Sequence, residues 1–412
     1  MNIHVLSVFV FGAIIAYGQE EVVPITEVPF TEVPITEVSI TEVPTTEVAT
    51  EAPPSICVTC ACANGVVDCR SRNIIETFVS EEWSELTNLN IKEVDLSGNS
   101  IETLKRIPAL PIENLNVSSN RLDLIDDWSF KNLENLTTLD LSSNMLTDLN
   151  KKVFWGPATL DRIKPFDKMR YLSLANNDFH FLTKDAFSFM QGLTFLDLSK
   201  NPLRSIDQVA MGTLSELNVL RELRLSTCSL ETLPSGFFRT FRRLDRLDLS
   251  NNKFTTIPTA LSEPVNLGYL NLNKNPFTEF TEKSALSGLT KLKELQLCNT
   301  KLQTIGPGAL GGLESLEVLN ICNNKKLTVV DEDFLTWIDD DDETKMWPPI
   351  KEIYMNSNNI SVIDPDILSR WDVVRSVNFD DNPYVCDCYA QWMVDVLVPL
   401  IEGLNGTANN LV

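Results

Sequence analysis

Leucine recurs in this chain at a spacing that neither a helix nor an ordinary strand explains. In the stretch LTTLDLSSNMLTDL, residues 136–149, Leu136, Leu139, Leu141, Leu146 and Leu149 are separated by 3, 2, 5 and 3 positions, with Asn144 among them. A helix needs apolar residues every three or four positions and a half-buried strand needs strict alternation. The stretch keeps to neither rule along its length. The same line, L-x-x-L-x-L-x-x-N-x-L with Ile, Val, Met or an aromatic standing in for Leu, returns twelve times. Its units begin at Ile91, Ile112, Leu136, Met169, Leu193, Leu220, Leu244, Leu267, Leu292, Leu316, Ile350 and Val374. Most steps are 21 to 27 residues, the length of one supersecondary unit in a repeat protein. The steps from 136 to 169 and from 316 to 350 are longer and predict inserts. Within the unit at Leu316, Lys326 delays the last apolar residue to Leu327.

The mixed spacing resolves into a strand followed by a turn. In the middle x-L-x-L-x, both leucines point to one face, as period two requires. The chain then turns, and an Asn side chain can bond backbone groups that a turn leaves unpaired. Ten units place Asn there, at 99, 120, 144, 177, 201, 252, 275, 324, 358 and 382; Cys228 and Thr300 take the slot in the other two. One unit cannot bury its own apolar face. Stacked units bury a continuous core beneath a parallel sheet, with each inward Leu contributing roughly 1.5–3 kcal/mol on full burial.

These residues carry a resemblance to the extracellular leucine-rich repeat family, the solenoids of Toll-type receptor ectodomains, Slit-like guidance proteins and small matrix proteoglycans. Phe130, Phe187 and Phe238 each stand six residues before a next unit, with Phe154 and Phe334 at matching places in the two repeats with inserts. This is similar to the family's 24-residue class. The resemblance runs over roughly residues 57–392. It implies an α/β leucine-rich repeat solenoid: a curved right-handed coil of about twelve repeats. The parallel sheet would lie on the concave face, with irregular or short helical segments on the convex side. The fold serves many partners, so it does not name one.

The chain divides around that array. Residues 1–18, MNIHVLSVFVFGAIIAYG, read as a cleaved signal peptide, with an apolar run from Val5 to Ala16 and small residues at Ala16 and Gly18. Residues 19–56 repeat a five-residue unit with Pro, Thr and Glu in register and hold eight Glu with no Lys or Arg. Proline at that density argues against helix and central strand, so the segment reads as a disordered stalk. Thr26, Thr31, Thr36, Thr41 and Thr46 are candidate O-glycan sites, a plain spacer being the alternative. Residues 57–90 form a cysteine-rich N-terminal cap, 91–385 the repeats, and 386–412 a partial C-terminal cap. The whole chain of 412 residues carries a net charge of −23, which gives no electrostatic footprint for nucleic acid or anionic membrane. The run DDDDE at 339–343 lacks the ligand spacing of a calcium loop and reads as a solvated charge run. No apolar stretch of about 20 residues is present to span a bilayer, and MVDVLVPLI at 393–401 is short and contains Asp395.

Nine cysteines fall into groups. Cys57, Cys60, Cys62 and Cys69 precede the first repeat in a spacing that resembles the family's N-terminal cap; the resemblance implies pairs Cys57–Cys62 and Cys60–Cys69. A zinc site is the competing reading, and the leader favours disulfides. NPYVCDCYAQW resembles the start of a C-terminal cap, but only Cys386 and Cys388 follow where that cap has four cysteines. Cys298 and Cys322 hold the same outward place in neighbouring repeats. In-register strands lie about 4.8 Å apart, within reach of a disulfide, so a bond between them is expected, two free thiols being the alternative. Cys228, in the Asn slot, is expected to be buried and unpaired.

Catalytic patterns are missing from the sequence. His4 belongs to the leader, which leaves His180 as the one imidazole of the mature chain. Nucleophile–imidazole arrangements, phosphate loops and zinc-protease motifs find no match, so the reading is non-enzymatic, without metal or cofactor. Binding remains, on the outward residues of the sheet. One column runs Glu93, Asn114, Thr138, Tyr171, Phe195, Glu222, Arg246, Tyr269, Glu294, Val318, Glu352 and Ser376; a second includes Asp95, Asp140, Asp197, Arg224, Asp248 and Tyr354. Tyr171, Phe195, Glu222, Arg224, Arg246 and Tyr269 join aromatic rings to Arg, the composition of interface hot spots, and form the candidate ligand site. Sequons stand at Asn116, Asn135, Asn359 and Asn405, and a glycan on Asn116 would cover the N-terminal part of the face. The expected protein is a secreted glycoprotein that takes an extracellular protein or microbial-surface ligand, with a dimer as a possible arrangement. A fragment of a membrane receptor ectodomain and a structural matrix component are the alternatives.

Overall fold

The structure is a computed structural model that describes residues 56–408 except 80–81, 84, 155–165, 281–284, 340–342, 370 and 386. The expected leader, the stalk up to residue 55 and Cys386 lie outside the described residues. Twelve three-residue strands, one per repeat, lie parallel and in register: Glu93–Asp95, Asn114–Asn116, Thr138–Asp140, Tyr171–Ser173, Phe195–Asp197, Glu222–Arg224, Arg246–Asp248, Tyr269–Asn271, Glu294–Gln296, Val318–Asn320, Glu352–Tyr354 and Ser376–Asn378. Each begins at the outward residue that the repeat pattern puts first. Every middle residue pairs with the middle residue of the next strand, from Val94 with Leu115 to Ile353 with Val377. That register follows from period two: a slip of one residue would turn all the leucines of a strand to solvent. The inward residues form one continuous buried cluster from Ile56 to Leu397.

The asparagines hold the turns from inside. Asn144 donates through Nδ2 to the carbonyl of Leu141 in its own repeat and to that of Val117 in the repeat before, both at 3.0 Å. Its Oδ1 accepts the backbone N–H of Leu122, also in the preceding repeat, at 3.0 Å. Asn201 repeats the set with Leu198, Leu174 and Phe179. Each such Asn closes its own turn and fastens the coil before it. Cys228 does part of this work: its thiol donates to the carbonyls of Leu198 and Ser226. Thr300 turns the other way, its hydroxyl donating to Asn324 Oδ1 at 2.6 Å and accepting Leu302 N–H.

A second constraint accompanies the slot. The residue just before it has positive φ in all twelve repeats: Gly98, Ser119, Ser143, Asn176, Lys200, Thr227, Asn251, Lys274, Asn299, Asn323, Ser357 and Asp381, between 54° and 69°. Only the first is glycine. Left-handed backbone costs an L-residue roughly 1–2 kcal/mol, so the Asn hydrogen bonds and the buried leucines outweigh a strain repeated in each coil.

At the N-terminal end, Ala61–Ala63 and Val66–Asp68 form an antiparallel hairpin. Its second strand pairs parallel with Glu93–Asp95 and so extends the main sheet to fourteen strands. Cys57 is bonded to Cys62 and Cys60 to Cys69, with Cα separations of 5.5 and 4.5 Å. Asn99 treats this hairpin as a preceding coil, donating to the Cys69 carbonyl at 2.9 Å. At the other end, Trp392 donates through its indole to the Ile363 carbonyl at 3.0 Å and lies 5.2 Å from Trp371. Leu397 is buried in the same cluster, ahead of the helix Val398–Ala408.

The return segments are mostly turns and short 3-10 stretches. The helix Gln208–Ser215 in the fifth repeat is an exception, its N-terminus capped by Asp207 accepting Ala210 N–H at 2.7 Å. Phe130, Phe154, Phe187, Phe238 and Phe334 are all buried in these segments, and Phe130 stacks on Phe154 at 5.4 Å. In the second insert, Trp337–Ile338 and Lys345–Met346 pair as a small antiparallel hairpin. Leu327, displaced by Lys326, still reaches the core.

Asn201→Ala leaves the Phe179 N–H without its acceptor and takes one of two donors from each of the Leu174 and Leu198 carbonyls, which keep Asn177 and the Cys228 thiol. The expected loss of stability is about 2 kcal/mol, read as a lower urea midpoint at unchanged slope. Asn218→Ala, at an exposed position, should change the midpoint by less than about 0.5 kcal/mol.

Candidate functional site

The repeat spacing places the six residues picked out from the sequence on five consecutive strands, and register makes them neighbours. Tyr171 lies opposite Phe195, Phe195 opposite Glu222, Glu222 opposite Arg246, and Arg246 opposite Tyr269. The rings of Tyr171 and Phe195 stack with centroids 4.2 Å apart and planes 6° from parallel. The Arg224 guanidinium lies over the Phe195 ring at 4.9 Å and that of Arg246 over Tyr269 at 4.0 Å. Glu222 sits between the two arginines. Its carboxylate bonds Arg224 Nη2 at 2.6 Å and stands 3.8 Å from Arg246 Nε. The band therefore alternates ring, ring, cation, anion, cation, ring across the sheet.

The charges inside the band are held by their surroundings. Burial works against the Arg224 charge, but the Glu222 bond and the nearby carboxylates of Glu222 and Asp197 outweigh it and raise its pKa. Burial raises the hydroxyl of Tyr171, reinforced by Asp140 and Asp197; for Tyr269 the same cause is reinforced by Asp248 and Glu294. Both phenols stay neutral donors over the physiological range. The side chains of Arg224, pinned to Glu222 and to the Phe195 ring, and of Glu222, held between two arginines, have little rotamer freedom left to lose when another surface meets them.

Two depressions flank the rings. One, of about 80 Å³, is lined by Glu222, Arg224, Arg246, Leu247, Asp248 and Tyr269. The other, of about 270 Å³, lies on the N-terminal side of Tyr171 and is walled by Glu93, Asp95, Asn114, Asn116, Thr138 and Asp140. Asn116, the sequon on the sheet face, is thus part of the second depression, with its Nδ2 3.4 Å from Asp95. Asn135 is half-buried at the edge of the sheet and accepts from Lys168 Nζ at 2.6 Å. Asn359 is exposed, and Asn405 falls within the helix Val398–Ala408.

Cys298 and Cys322 form a third disulfide bridging repeats nine and ten, with Cα atoms 4.6 Å apart. Cys228 is buried and unpaired, and burial pushes its thiol up to about 12. Cys388 is exposed and unpaired. His180 is an exposed residue beside Asp178 at 3.4 Å. Among the described residues, no group of His, Cys, Asp and Glu is placed to hold a metal ion, and no helix is long and apolar enough to cross a membrane.

The sequence picked out the band by composition, but it did not show the role of Glu222 as the bridge between two arginines. Adjacency across a solenoid sheet is a matter of aligned repeats, and Glu222, Arg224 and Arg246 become neighbours only when two repeats are laid in register. A smaller polar cluster was also missed: the Tyr354 hydroxyl meets Glu352 and Ser376, each at 2.9 Å.

Comparison with known proteins supports this architecture. The profile described as leucine rich repeat matches residues 111–164, 167–221, 218–277, 279–325 and 290–336. Human oligodendrocyte-myelin glycoprotein is 33% identical over 211 residues, which cover 51% of this chain and 43% of the relative. Rat lumican is 30% identical over 219 residues, covering 49% of the chain and 63% of the relative. Cattle Toll-like receptor 3 is 30% identical over 229 residues, 52% of the chain and 24% of the relative. The chain thus spans less than two thirds of the length of each of these relatives. Among solved structures, the leucine-rich repeat domain of APL1B superposes with a TM-score of 0.55 at 17% identity, over 80% of this chain and 87% of that one. A leucine-rich repeat protein of Leptospira interrogans gives 0.52 at 22% identity, over 79% and 86%.

Alkylation distinguishes the cysteines. With iodoacetamide at about pH 8, native protein should label at Cys388 and stay unmodified at Cys228 until it is unfolded. Peptide mapping without reduction should recover Cys298 linked to Cys322; separate peptides would show that this pair is open.

Proposed function

The chain belongs to the leucine-rich repeat family, and on that premise we propose that it is a non-enzymatic binding protein of the extracellular space. It would recognise a protein or microbial-surface ligand through the outward face of repeats four to eight. The observation that supports this reading is the band from Tyr171 to Tyr269. Its rings and guanidinium groups already lie in contact, and one carboxylate holds the arginines. Aromatic and arginine side chains dominate interface energetics when they meet a partner in a desolvated centre. Here they arrive pre-ordered, so less of the contact energy is lost to fixing side chains.

The surrounding features suit such a centre. The depressions on either side of the rings offer recesses for a partner's side chains. The acidic wall of the larger one, with Glu93, Asp95 and Asp140, favours a cationic side chain there. A glycan on Asn116 would fill that recess and limit the site to the middle repeats. Relatives named as a glycoprotein and as a receptor support an extracellular setting, as do the disulfides. The same face would serve a free protein or the outer part of a longer receptor.

Affinity capture with the secreted chain, followed by mass spectrometry of what is retained, would identify the ligand. Tyr171→Ala, Arg224→Ala and Arg246→Ala should each weaken that ligand's binding about tenfold or more. Lys253→Ala, at an exposed residue away from the band, should leave it unchanged. Unaltered affinity in all three band variants would remove the reading.

A further inference from the structure

The chain carries 57 carboxylate residues against 34 Lys and Arg, yet one edge of the sheet inverts this balance. The edge consists of the residues one, three and four places before each strand. Across repeats four to nine, these positions hold Lys168, Arg170, Arg221, Arg242, Arg243, Lys291 and Lys293 against only Asp167 and Asp245. All seven cations are exposed. Among the described residues, none of the seven lies within ion-pairing distance of a carboxylate, whereas at the same position in outer repeats Lys92 pairs with Glu113 and Lys351 with Glu317. Lys168 and Lys291 bond the side-chain oxygens of Asn135 and Asn266 instead, and Arg170 bonds backbone carbonyls.

Backbone bonds align these positions. The N–H groups of Thr194, Arg221, Asp245, Gly268 and Lys293 each donate to the carbonyl of the edge residue one repeat earlier, at 2.8–2.9 Å. Arg170 and Lys293 are therefore five strand spacings apart, roughly 24 Å. A single small anion cannot engage cations spread over that length; a polymer with repeated negative charges can.

We propose that this edge is a binding surface for a linear sulfated polysaccharide. The cations run along the N-terminal ends of the parallel strands. On the sheet beside them, Asp140, Asp197 and Asp248 would repel a broad polyanion such as a duplex or an anionic bilayer. Single-stranded nucleic acid is held by stacking on exposed aromatic rings as well as by charge. The outward rings next to this edge, Tyr171, Phe195 and Tyr269, are already engaged: Tyr171 and Phe195 stack on each other, and Arg224 and Arg246 lie over Phe195 and Tyr269, while Phe166 and Phe241 are buried. With those ring faces covered, the edge cations select for charge, and planar guanidinium groups suit oxyanions of this kind. The surface borders the ring and arginine band, its residues standing one, three or four places before the strands, and uses a different set of side chains.

Chromatography of the full secreted chain on heparin tests this. The chain should be retained at about 0.15 M salt and released by more, because exposed ion pairing is screened. De-sulfated heparin should not retain it. The variant carrying Arg242→Glu, Arg243→Glu, Lys291→Glu and Lys293→Glu should bind heparin at least about tenfold more weakly at that salt. The milder Arg242→Gln and Arg243→Gln pair, which removes charge without reversing it, should elute at lower salt. Lys253→Ala, an exposed cation away from the edge, should elute with the unsubstituted chain. The proposal is overturned if the chain passes through heparin unretained, or if either edge variant, with an unchanged circular dichroism spectrum, elutes as the unsubstituted chain does. Equal retention on an oligodeoxythymidine column or on phosphatidylserine vesicles would overturn it as well.

Discussion

The hydrogen bonds of one asparagine per repeat govern the rest of this structure. Each turn after a sheet strand leaves carbonyl and N–H groups facing an apolar interior, where an unpaired group costs about 1–3 kcal/mol. A primary amide answers with two donors and an acceptor in one plane, so a single side chain closes its own turn and reaches the coil before it. The parallel register, the leucine column and the outward columns all follow from that repeated clasp. The tolerated exceptions show its limits. A thiol supplies weak donation at Cys228, and at Thr300 the hydroxyl is served by the next coil's Asn instead of serving the one before.

Fold was readable from the sequence because every signal agreed. The apolar spacing, the Asn slot and the phenylalanines of the return segments all described the same coil, and each strand starts at the residue the pattern put first. What could not be read was local conformation with no compositional mark. The left-handed residue before the slot is Gly, Asn or Asp in six repeats, types that tolerate positive φ, and Ser, Thr or Lys in the other six, which carry no such mark. The hairpin of the second insert carried no repeat signal, and the N-terminal hairpin's entry into the main sheet was not evident from its cysteine spacing.

The candidate site was legible in its membership more than in its electrostatics. Exposed aromatic and arginine residues on adjacent repeats are visible once the columns are written out. Their coupling through Glu222 depends on angstrom-scale register. Net charge was a poor guide in the same way: a value of −23 describes the sum, while alignment gathers cations from residues 168 to 293 onto one edge. A solenoid turns positions far apart in the chain into lines of neighbours, so its charge must be read by column.

The asparagine clasp also has a direction. The amide of Asn144 completes the coil that begins at Ile112, and that of Asn201 completes the one that begins at Met169. Each coil therefore finishes only when its successor has been made. On a ribosome, which delivers the N-terminal coils first, maturation would trail synthesis by one full turn of the array. A stall or premature stop at any point would leave a single raw turn at the growing end, with everything upstream already sealed.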